Sequence, residues 1–420
     1  MKGGFVVKNA RVVDPSQKLD KVCDINVLGG KFVDSLPKPA KVIDAKGLVL
    51  VPGFVDLHAH LREPGQTSKE TVETGTMAAA AGGYTSIVAM PNTSPAADNT
   101  STIRLINDII EEKARVRVYQ SACITEGRAG EKLAPLGSLS DMGVRAITDD
   151  GSCVQNSEIM RNAMRYAKMF GLFVMDHCQD MALSAAGQIR EGEWSVRLGL
   201  GGWPSAAEEI IVARDIILAA STNSHIHLQH ISSALSVDLI RQAKKRGIGV
   251  SAEATPHHLA LTDACLKDFD TNFKMCPPLG TEADRKALIK GVVDGSIDVI
   301  ATDHAPHTDT EKDREFNMAP FGIIGLETAF SVCHEVLVRS KKIDMARLVE
   351  LMSTRPAQLL GIEAGSLKAG RAADFALIDE NAEYVYGNPL SRSKNSPWLG
   401  RRLRGRVVRT FVGGRQVFEV

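Results

Sequence analysis

Residues 53–60 read GFVDLHAH, an apolar β-strand pattern that closes on two histidines. Because strand side chains alternate between two faces, His58 and His60 point to the same side, one residue apart. Two imidazoles at that separation can chelate one metal ion, and neutral imidazole suits zinc. Two hydrogen-bonded histidines near a strand end are the plainer alternative, and this motif alone leaves both interpretations open.

Apolar, β-branched runs like this one recur along the middle of the chain, and helix-like stretches separate most of them. The strand candidates are Val49–Leu57, Thr85–Met90, Val116–Ala122, Val144–Thr148, Phe173–Asp176, His225–His230, Gly249–Ala254 and Val299–Thr302. The helix candidates include Lys69–Ala81, Thr100–Lys113, Asn156–Phe170, Ala206–Ser221 and Ser236–Lys245. Eight strands alternating with helices predict an α/β protein built as a (β/α)₈ TIM-type barrel. A doubly wound open sheet is the alternative, although no glycine-rich dinucleotide fingerprint follows an early strand.

Both ends of the chain carry short strand patterns separated by turn residues. The candidates are Gly4–Lys8, Arg11–Val13, Asp24–Val27 and Lys41–Asp44, then Asp374–Ile378, Leu403–Arg409 and Thr410–Val417. Neither end alone offers enough strands for a stable sheet, so we expect the two ends to form one small β-sandwich. The predicted domains are residues 1–50 and 366–420 for the two parts of this sandwich, and residues 51–365 for the barrel.

Composition narrows the function classes. The chain has 420 residues, 44% of them hydrophobic, with 50 basic and 50 acidic side chains. A formal charge of zero gives no argument for nucleic acid or an anionic membrane as partner. The apolar stretches are too short to span a bilayer, and the charged N-terminus does not resemble a signal peptide. Seven scattered cysteines without a CxxC pair predict a reducing cytoplasm and no thiolate zinc site.

Further metal-ligand candidates fall at the C-terminal ends of the strand candidates, the face on which barrel enzymes carry their active sites. They are Asp149, Asp150, His177, His230 and Asp303. Each alone could be a helix cap or a hydrogen-bonded core group. Together on one rim they predict a metal site, because converging buried carboxylates and imidazoles are costly without a cation.

The remaining histidines need sorting. In the run His225–His230, strand alternation would point Ile226 and Leu228 into the barrel, with His230 following them at its mouth. We therefore select His230 as ligand and expect His227 to face the helices or to support a ligand. His257 and His258 are expected to hydrogen bond within the rim, and His334 to be structural.

Three polar residues near the predicted metal site suit a substrate carboxylate. Arg62 follows the histidine pair by two residues, and its planar fork fits a carboxylate. Asn92 ends the second strand run, and His307 follows Asp303 in the sequence DHAPH. Each could instead tie down a loop. The long loop 304–325 is a candidate lid.

Taken together, the motifs resemble a known family. GFVDLHAHLREPG, AMPNTSP, ITDDG, DHC, HLQHIS, ATDHAPH and PFGIIGLET are similar to dihydroorotases of the longer bacterial class, within the amidohydrolase superfamily. The resemblance runs along nearly the whole chain. It implies reversible cyclisation of N-carbamoyl-L-aspartate to L-dihydroorotate plus water, in the de novo pyrimidine pathway to UMP.

The resemblance also implies roles for individual residues. His58 and His60 would bind one Zn²⁺ and His177 and His230 a second, with Asp150 bridging them, so that each chain holds one or two ions. Asp303 would touch the metals and shuttle the proton. The substrate would contact a further set of residues: His60, Arg62, Asn92, Cys276, His307, Phe321 and Gly322.

The sequence departs from the family pattern at two places. Relatives such as hydantoinases bridge their metals with a carboxylated lysine, whereas this chain has Asp150 at that position. The family's NPPLR reads here as Cys276 to Gly280, so a substrate-contacting asparagine becomes Cys276.

The alternative functions are another cyclic amidohydrolase, such as a hydantoinase or allantoinase, and a non-catalytic partner of aspartate carbamoyltransferase. Complex formation with that transferase and a homodimer both stay open.

Overall fold

The structure is a computed structural model that describes residues 4–36 and 41–420. Numbered along the chain, its strands begin with β1 Phe5–Lys8, β2 Arg11–Asp14, β3 Leu19–Val22, β4 Ile25–Leu28, β5 Lys31–Val33, β6 Lys41–Asp44 and β7 Val49–Pro52. The middle of the chain contributes β8 Phe54–Ala59, β9 Tyr84–Ala89, β10 Arg117–Gln120, β11 Ala146–Ile147, β12 Phe173–Asp176, β13 Ile189–Arg190, β14 Gly202–Trp203, β15 Ile226–Leu228, β16 Val250–Ala254 and β17 Val299–Ile300. The C-terminal strands are β18 Phe375–Val385, β19 Arg402–Val412 and β20 Arg415–Glu419.

Helices alternate with the strands of the middle region. They are α1 Val72–Ala81, α2 Thr100–Lys113, α3 Leu136–Asp141, α4 Ser157–Phe170, α5 Met181–Ser184, α6 Glu193–Leu198, α7 Ala206–Thr222, α8 Ala234–Lys245, α9 Pro256–Ala260, α10 Glu282–Asp294, α11 Asp309–Lys312, α12 Ala329–Cys333, α13 Met345–Val349 and α14 Arg355–Leu360. Within the described ranges, no helix is both long and apolar enough to cross a membrane.

Helix α4 illustrates why these segments are helical. The Asn156 side chain caps its first turn by accepting hydrogen bonds from the backbone N–H groups of Glu158 and Ile159. Its buried residues recur at helical spacing, namely Met160, Ala163, Met164 and Ala167. Gly171 ends the helix with a φ of 66°, a left-handed conformation that glycine adopts without strain. The apolar face therefore packs against the strands, as the sequence pattern predicts.

Eight parallel strands follow one another around a ring. One parallel ladder has the order β10-β9-β8, and the other has the order β11-β12-β15-β16-β17. Two parallel bridges link the ladders, one between Ala122 and Ile147 and one between Ala59 and His304. A large apolar core lies between the strands and the helices, and a smaller cluster including Val55, Leu57 and Met175 fills the inside. The C-terminal ends of all eight strands consequently share one rim.

The first predicted strand, Val49–Leu57, is wrong as a single element. Residues Val49–Pro52 form β7, which pairs with β18 and β2 in the terminal sheet, whereas β8 begins at Phe54. Gly53 lies between them, and a side chain there would meet the Thr85 hydroxyl oxygen at 2.1 Å. Only glycine permits this close approach, and the chain passes from the sandwich to the barrel at this residue.

The two ends of the chain form a sandwich of two sheets. One sheet has the order β5-β4-β1-β6, and the other, β20-β19-β18-β7-β2-β3, joins strands from both ends. A shared core of apolar residues from both sheets includes Phe5, Phe32, Phe375 and Phe411. Sequence analysis missed β3 and β5, and it divided β19 at Arg409 although that strand continues to Val412. The domain limits at residues 50 and 365 stay predictions, and part of the first segment lies outside the described residues.

Candidate active site

The barrel rim brings six predicted ligand residues together. His58 lies on β8, and the other five follow strand ends: His60, Asp150, His177, His230 and Asp303. All six side chains are buried. Because the strands are parallel, residues far apart in sequence reach the same end of the barrel.

Short distances connect the six side chains through the two carboxylates. The Nε2 atom of His58 lies 3.3 Å from Oδ1 of Asp150 and 3.4 Å from Oδ1 of Asp303. The Nε2 atom of His60 lies 3.1 Å from the same Asp303 oxygen. The same Oδ1 atom of Asp150 also lies 3.4 Å from Nδ1 of His177 and 3.8 Å from Nε2 of His230, and Oδ2 lies 3.4 Å from Nε2 of His60. Asp150 thus stands between the two histidine pairs.

A left-handed backbone turns three site residues inward. The φ angles are 58° at Arg62, 31° at His230 and 43° at Asp303, which non-glycine residues rarely adopt. Strand alternation cannot continue through such a residue. Local strain of this kind concentrates at functional sites, where the surrounding structure holds the side chain in place.

The predicted alternation of the strand ending at His230 is wrong. Ile226 and Leu228 pack in the core beneath the helices, and His227 points into the barrel. The His227 ring hydrogen bonds to Glu253 at 3.0 Å and to Ser251 at 2.8 Å. His230 reaches the ligand cluster because its left-handed backbone reverses the direction of its side chain. The prediction therefore selected His230 for a wrong reason, since it assumed that Ile226 and Leu228 face the inside of the barrel.

The carboxylates make the cluster strongly attractive to a cation. Burial opposes ionisation of Asp150, but the charge of His58 and the close approach of the His177, His230 and His58 rings bring its pKa well below the usual range. Burial likewise opposes ionisation of Asp303, whose pKa is nonetheless lowered by His58 and His60. Conversely, the pKa of His58 is raised against the effect of burial, because Asp303 and Asp150 stabilise its charged form.

The donor set fits a divalent metal. Three groups have their ligand atoms within 4.8 Å of one another: His58/His60/Asp150, Asp150/His177/His230 and His58/His230/Asp303. The Nε2 atom of His58 is buried and has no hydrogen-bond partner among the described residues. Imidazole and carboxylate donors without thiolate are typical of catalytic zinc sites. The cluster is therefore compatible with one or two metal ions.

Glu253 on β16 supports this cluster and was missed by sequence analysis. Its carboxylate accepts a hydrogen bond at 2.8 Å from Nδ1 of His58 and another from His227, and also one from the backbone N–H of His230. Burial opposes its ionisation, but these histidines lower its pKa to about 2. A carboxylate behind a metal-binding histidine fixes the ring orientation and raises its basicity. Alternation along the strand VSAEA was the only sequence signal for an inward Glu253.

The predicted substrate residues surround the cluster. Asn92 accepts a hydrogen bond at 2.9 Å from Nδ1 of His60, and its amide nitrogen lies 3.4 Å from Asp150. The Nε atom of Arg62 is 3.4 Å from the Pro306 carbonyl, and its guanidinium forms no ion pair with any described carboxylate. Burial lowers the pKa of Arg62, although Asp303 and Asp150 oppose this shift. An arginine without a carboxylate partner at this depth can receive one from a ligand.

His307 lies in the same positively charged wall. Burial lowers its pKa to about 3, and the charges of Arg62, Lys69 and Lys312 add to this effect, so the ring is neutral at pH 7. Its Nδ1 atom lies 3.5 Å from the ammonium of Lys69 and 3.4 Å from Oε2 of Glu311. When Nδ1 accepts from Lys69, Nε2 carries the proton and can donate to an anionic ligand.

Phe321 and Gly322 lie beside His307. A side chain at Gly322, where φ is 151°, would meet the Cδ2 atom of His307 at 2.7 Å. Asn395, which sequence analysis also missed, joins these segments, since its Nδ2 donates to the carbonyls of Gly322 and Ala305 and its Oδ1 accepts from the His307 N–H. The predicted lid, residues 304–325, therefore contains ordered structure, including α11.

Cys276 occupies the position where the family pattern has asparagine. Its thiol lies 3.7 Å from Nε2 of His177 and 3.8 Å from Oε1 of Gln179, so it does reach the site. His258 hydrogen bonds to Thr255 and to the Pro277 carbonyl, as expected for the rim. His257 differs, because its buried Nε2 has no partner among the described residues.

The comparisons with known proteins agree with this geometry. Residues 47–236 match the family model described as dihydro-orotase-like. A dihydroorotase from Geotalea daltonii is 47% identical over 98% of this chain and 99% of its own length. A dihydroorotase from Elusimicrobium minutum is 46% identical, with 99% and 98% covered. The chain belongs to the dihydroorotase family. The resemblance seen in the sequence motifs is confirmed.

Solved structures of other cyclic amidohydrolases share the fold of this dihydroorotase family member. An L-hydantoinase from Arthrobacter aurescens gives a TM-score of 0.90 at 23% identity, covering 99% of this chain and 96% of the other. A dihydropyrimidinase from Brevibacillus agri gives 0.86 at 24% identity, with 99% and 95% covered. These matches confirm the predicted fold class, a TIM-type barrel with a β-sandwich.

Proposed function

We propose that this chain interconverts N-carbamoyl-L-aspartate and L-dihydroorotate in pyrimidine biosynthesis, acting as a hydrolase on a cyclic amide. Membership of the dihydroorotase family supports this reaction. The observation that carries the assignment to this site is the cluster of six imidazole and carboxylate side chains near Arg62, which has no carboxylate partner among the described residues. The imidazole and carboxylate side chains could hold a metal that promotes amide hydrolysis. Arg62 could bind the free carboxylate of the substrate.

The proposed resident metal is Zn²⁺, one or two ions per chain. His58 and His60 would hold one ion, His177 and His230 a second, and Asp150 would lie between them, in agreement with its distances to both pairs. Bound zinc would supply Lewis acidity toward the amide carbonyl and promote ionisation of the attacking water at neutral pH.

Asp303 is the proposed proton carrier. In the hydrolytic direction it accepts a proton from the attacking water, whose oxygen bonds to the amide carbon. It then delivers that proton to the ring nitrogen as the carbon–nitrogen bond breaks, which opens the ring. The lowered pKa of Asp303 keeps it ionised at neutral pH, which is the form that can accept a proton. In the biosynthetic direction the same transfers run in reverse.

Arg62, Asn92 and His307 are the proposed substrate-carboxylate contacts. Arg62 would supply a bidentate charged contact, and neutral His307 would donate from Nε2. His60, Cys276, Phe321 and Gly322 complete the proposed contacts with the substrate. This cationic wall favours a carboxylated ring over hydantoin or allantoin, which lack that carboxylate.

The oligomeric state, the protein partner and the cellular location of the chain are further proposals. The substrate is a small molecule, and a homodimer or a complex with aspartate carbamoyltransferase stays a prediction, as does a cytoplasmic location. A purely non-catalytic role is disfavoured because all six ligand residues of the family pattern are present and converge.

The function is tested by assaying the purified chain with dihydroorotate, hydantoin and allantoin, with metal analysis of the same preparation. We expect turnover of dihydroorotate and ring closure of N-carbamoyl-L-aspartate, with little activity on the other two. Faster hydrolysis of hydantoin or allantoin would contradict the substrate assignment. A metallated protein inactive on all three would instead favour the non-catalytic alternative.

The carboxylate contact is tested by Arg62→Met, which keeps side-chain length but removes the charged fork. We expect kcat/KM for dihydroorotate to fall by about 30-fold or more, because losing a buried charge-assisted contact costs about 2–5 kcal/mol and each 1.4 kcal/mol is about tenfold. Metal content should stay unchanged. The exposed Arg402→Met is the matched control. A negligible loss in Arg62→Met would reduce Arg62 to a loop anchor.

A further inference from the structure

Lys274 places a buried ammonium group against the backbone of one loop. The residue is 2% exposed, and it forms no ion pair with any described carboxylate. Its Nζ atom donates to the carbonyl oxygens of Phe316 at 2.6 Å and Ala319 at 2.7 Å, and to Oε1 of Gln188 at 2.6 Å. A buried charge needs such partners, since an ammonium that loses water without replacement is strongly destabilised.

Lys312 repeats this arrangement from a different element, helix α11. It is 6% exposed, and it also has no carboxylate partner within the described ranges. Its Nζ atom donates to the Pro320 carbonyl at 3.0 Å and to the Gly322 carbonyl at 3.1 Å. Two buried lysine amino groups therefore donate hydrogen bonds to carbonyl groups of the same segment, residues 316–322.

This segment leads directly into the candidate site. Lys274 lies 4.6 Å from the ring centroid of Phe321 and accepts a hydrogen bond from the Gly322 N–H through its own carbonyl. Gly322 in turn packs against His307, one of the proposed carboxylate contacts. The exposed side chain of Met318, at 64%, marks the outer surface of the segment. Both lysines consequently act on the backbone that presents Phe321 and Gly322.

We propose that Lys274 and Lys312 are positioning residues that fix the loop 316–322 beside His307, so that Phe321 and Gly322 are ordered before substrate binds. The proposal rests on the proposed function for its kinetic consequence, whereas the loop order can be measured without any substrate. Neither lysine belongs to the proposed ligand or substrate-contact set, and sequence analysis singled out neither.

Ordering a loop in advance affects binding more than the chemical step. A loop that is disordered before binding must lose conformational freedom when the substrate arrives, which weakens affinity. Asp303 and the imidazoles of the six-residue cluster lie on or after barrel strands, outside this segment. Loss of either lysine should therefore raise KM while leaving kcat nearly unchanged. A general structural defect would lower the stability and the metal content instead.

The test uses Lys274→Met and Lys312→Met, each of which keeps the side-chain length and removes the charge and the donors. Lys286→Met, on the 72% exposed side chain of Lys286, is the matched control. Two quantities are measured for each protein: hydrogen exchange of peptides covering residues 316–322 in the absence of substrate, and KM and kcat for dihydroorotate. Zinc content and the exchange of helix α4 report whether the remaining structure is intact.

We expect amide exchange in residues 316–322 to accelerate by about 10-fold or more in both variants, with α4 and zinc content unchanged. KM should rise by about 10-fold, with kcat within about 3-fold of the original value. Should Lys274→Met fail to fold, Lys312→Met carries the same test from α11. Unchanged exchange and KM in the folded variants would overturn the proposal, and so would a loss confined to kcat and zinc. If the unmodified chain does not turn over dihydroorotate, the proposed function is wrong. The hydrogen-exchange measurement then still shows whether the two lysines order residues 316–322.

Discussion

Two buried clusters in this barrel have ligand-like side chains at comparable separations, yet they differ in what balances their charge. The first is the rim cluster of His58, His60, Asp150, His177, His230 and Asp303. The second, which we term the Arg214 cluster, comprises Asp176, Cys178, Asp215 and Arg214. The rim cluster contains three sets of three possible ligand atoms within 4.8 Å of one another, and the Arg214 cluster contains one, Asp176/Cys178/Asp215. Distance alone therefore does not separate a metal site from a structural cluster.

In the Arg214 cluster, the Arg214 guanidinium forms ion pairs with both carboxylates. It donates to Asp215 at 2.8 Å and to Asp176 at 3.2 Å, and also to the Val154 carbonyl. Burial and the neighbouring charge of Asp215 raise the pKa of Asp176 well above its usual range, which favours its protonated form. The Arg214 guanidinium can therefore balance the carboxylate charge that is left in this cluster.

In the rim cluster, no lysine or arginine of the described residues forms an ion pair with the two carboxylates, and the charged form of His58 is what stabilises them. Asp150 and Asp303 have only imidazoles within ion-pair distance among the described residues, and both carboxylates stay ionised. A candidate metal centre is therefore recognised by carboxylates that pair with imidazoles, because an imidazole can release its proton and bind a metal whereas a guanidinium cannot.

The largest expected effect comes from Asp303→Asn in the rim cluster. The amide keeps the shape and much of the hydrogen bonding but cannot accept the proton from water. General acid–base catalysis is typically worth about 10²–10⁴-fold, so kcat should fall by that order in both directions. Steady-state kinetics and zinc content are measured on one preparation, with the exposed Asp313→Asn as control. A fully metallated variant with near-normal kcat would exclude the proton-carrier role. A metal-free variant would identify Asp303 chiefly as a ligand.

A smaller effect is expected from Glu253→Gln, which weakens the support behind His58. Glutamine can accept only one of the two histidine hydrogen bonds and carries no charge to orient the ring. Loss of such a partner typically lowers metal affinity about 10–100-fold. Competition with a zinc chelator measures this change, and the exposed Glu335→Gln provides the control. Unchanged zinc affinity would show that strand geometry alone orients His58.

No change in metal content is expected from Cys178→Ala in the Arg214 cluster. The Cys178 thiol lies among the candidate ligand atoms, but it donates only a weak bond to the Asp176 carbonyl at 3.6 Å. If Arg214 already balances the carboxylates, removal of the thiol should cost at most about 1–2 kcal/mol of unfolding free energy. Zinc per chain and thermal unfolding are the measurements. Loss of one zinc equivalent in this variant would mean that the second cluster also binds metal.

Sequence alone predicted the placement of the ligands better than their orientation. Polar residues after parallel strands must share a rim, so Asp150, His177 and Asp303 could be selected without any contact information. The orientation of His227 and His230 could not, because alternation assumes an extended backbone and His230 has a φ of 31°. The division at Gly53 was missed for a related reason, since the close approach of Thr85 arises only in the folded chain.

Supporting residues were the least predictable part of the site. Glu253 lies in a strand, and its role depends on His58, which is 195 positions away in sequence. Asn395 comes from the segment before β19, yet it joins His307 to Gly322. Such contacts are made by the tertiary fold, and no local pattern in one sequence specifies them.

Whether the rim cluster is the catalytic metal centre is tested most directly with the double variant His58→Ala/His60→Ala. Zinc content and dihydroorotate turnover are measured for this variant and for the unmodified chain. The unmodified chain should hold one or two zinc ions and be active, because the rim cluster pairs its carboxylates with imidazole donors. The double variant should lose the zinc bound by this pair and all measurable turnover, while Cys178→Ala keeps both. Full activity and an unchanged zinc content in His58→Ala/His60→Ala would contradict the account.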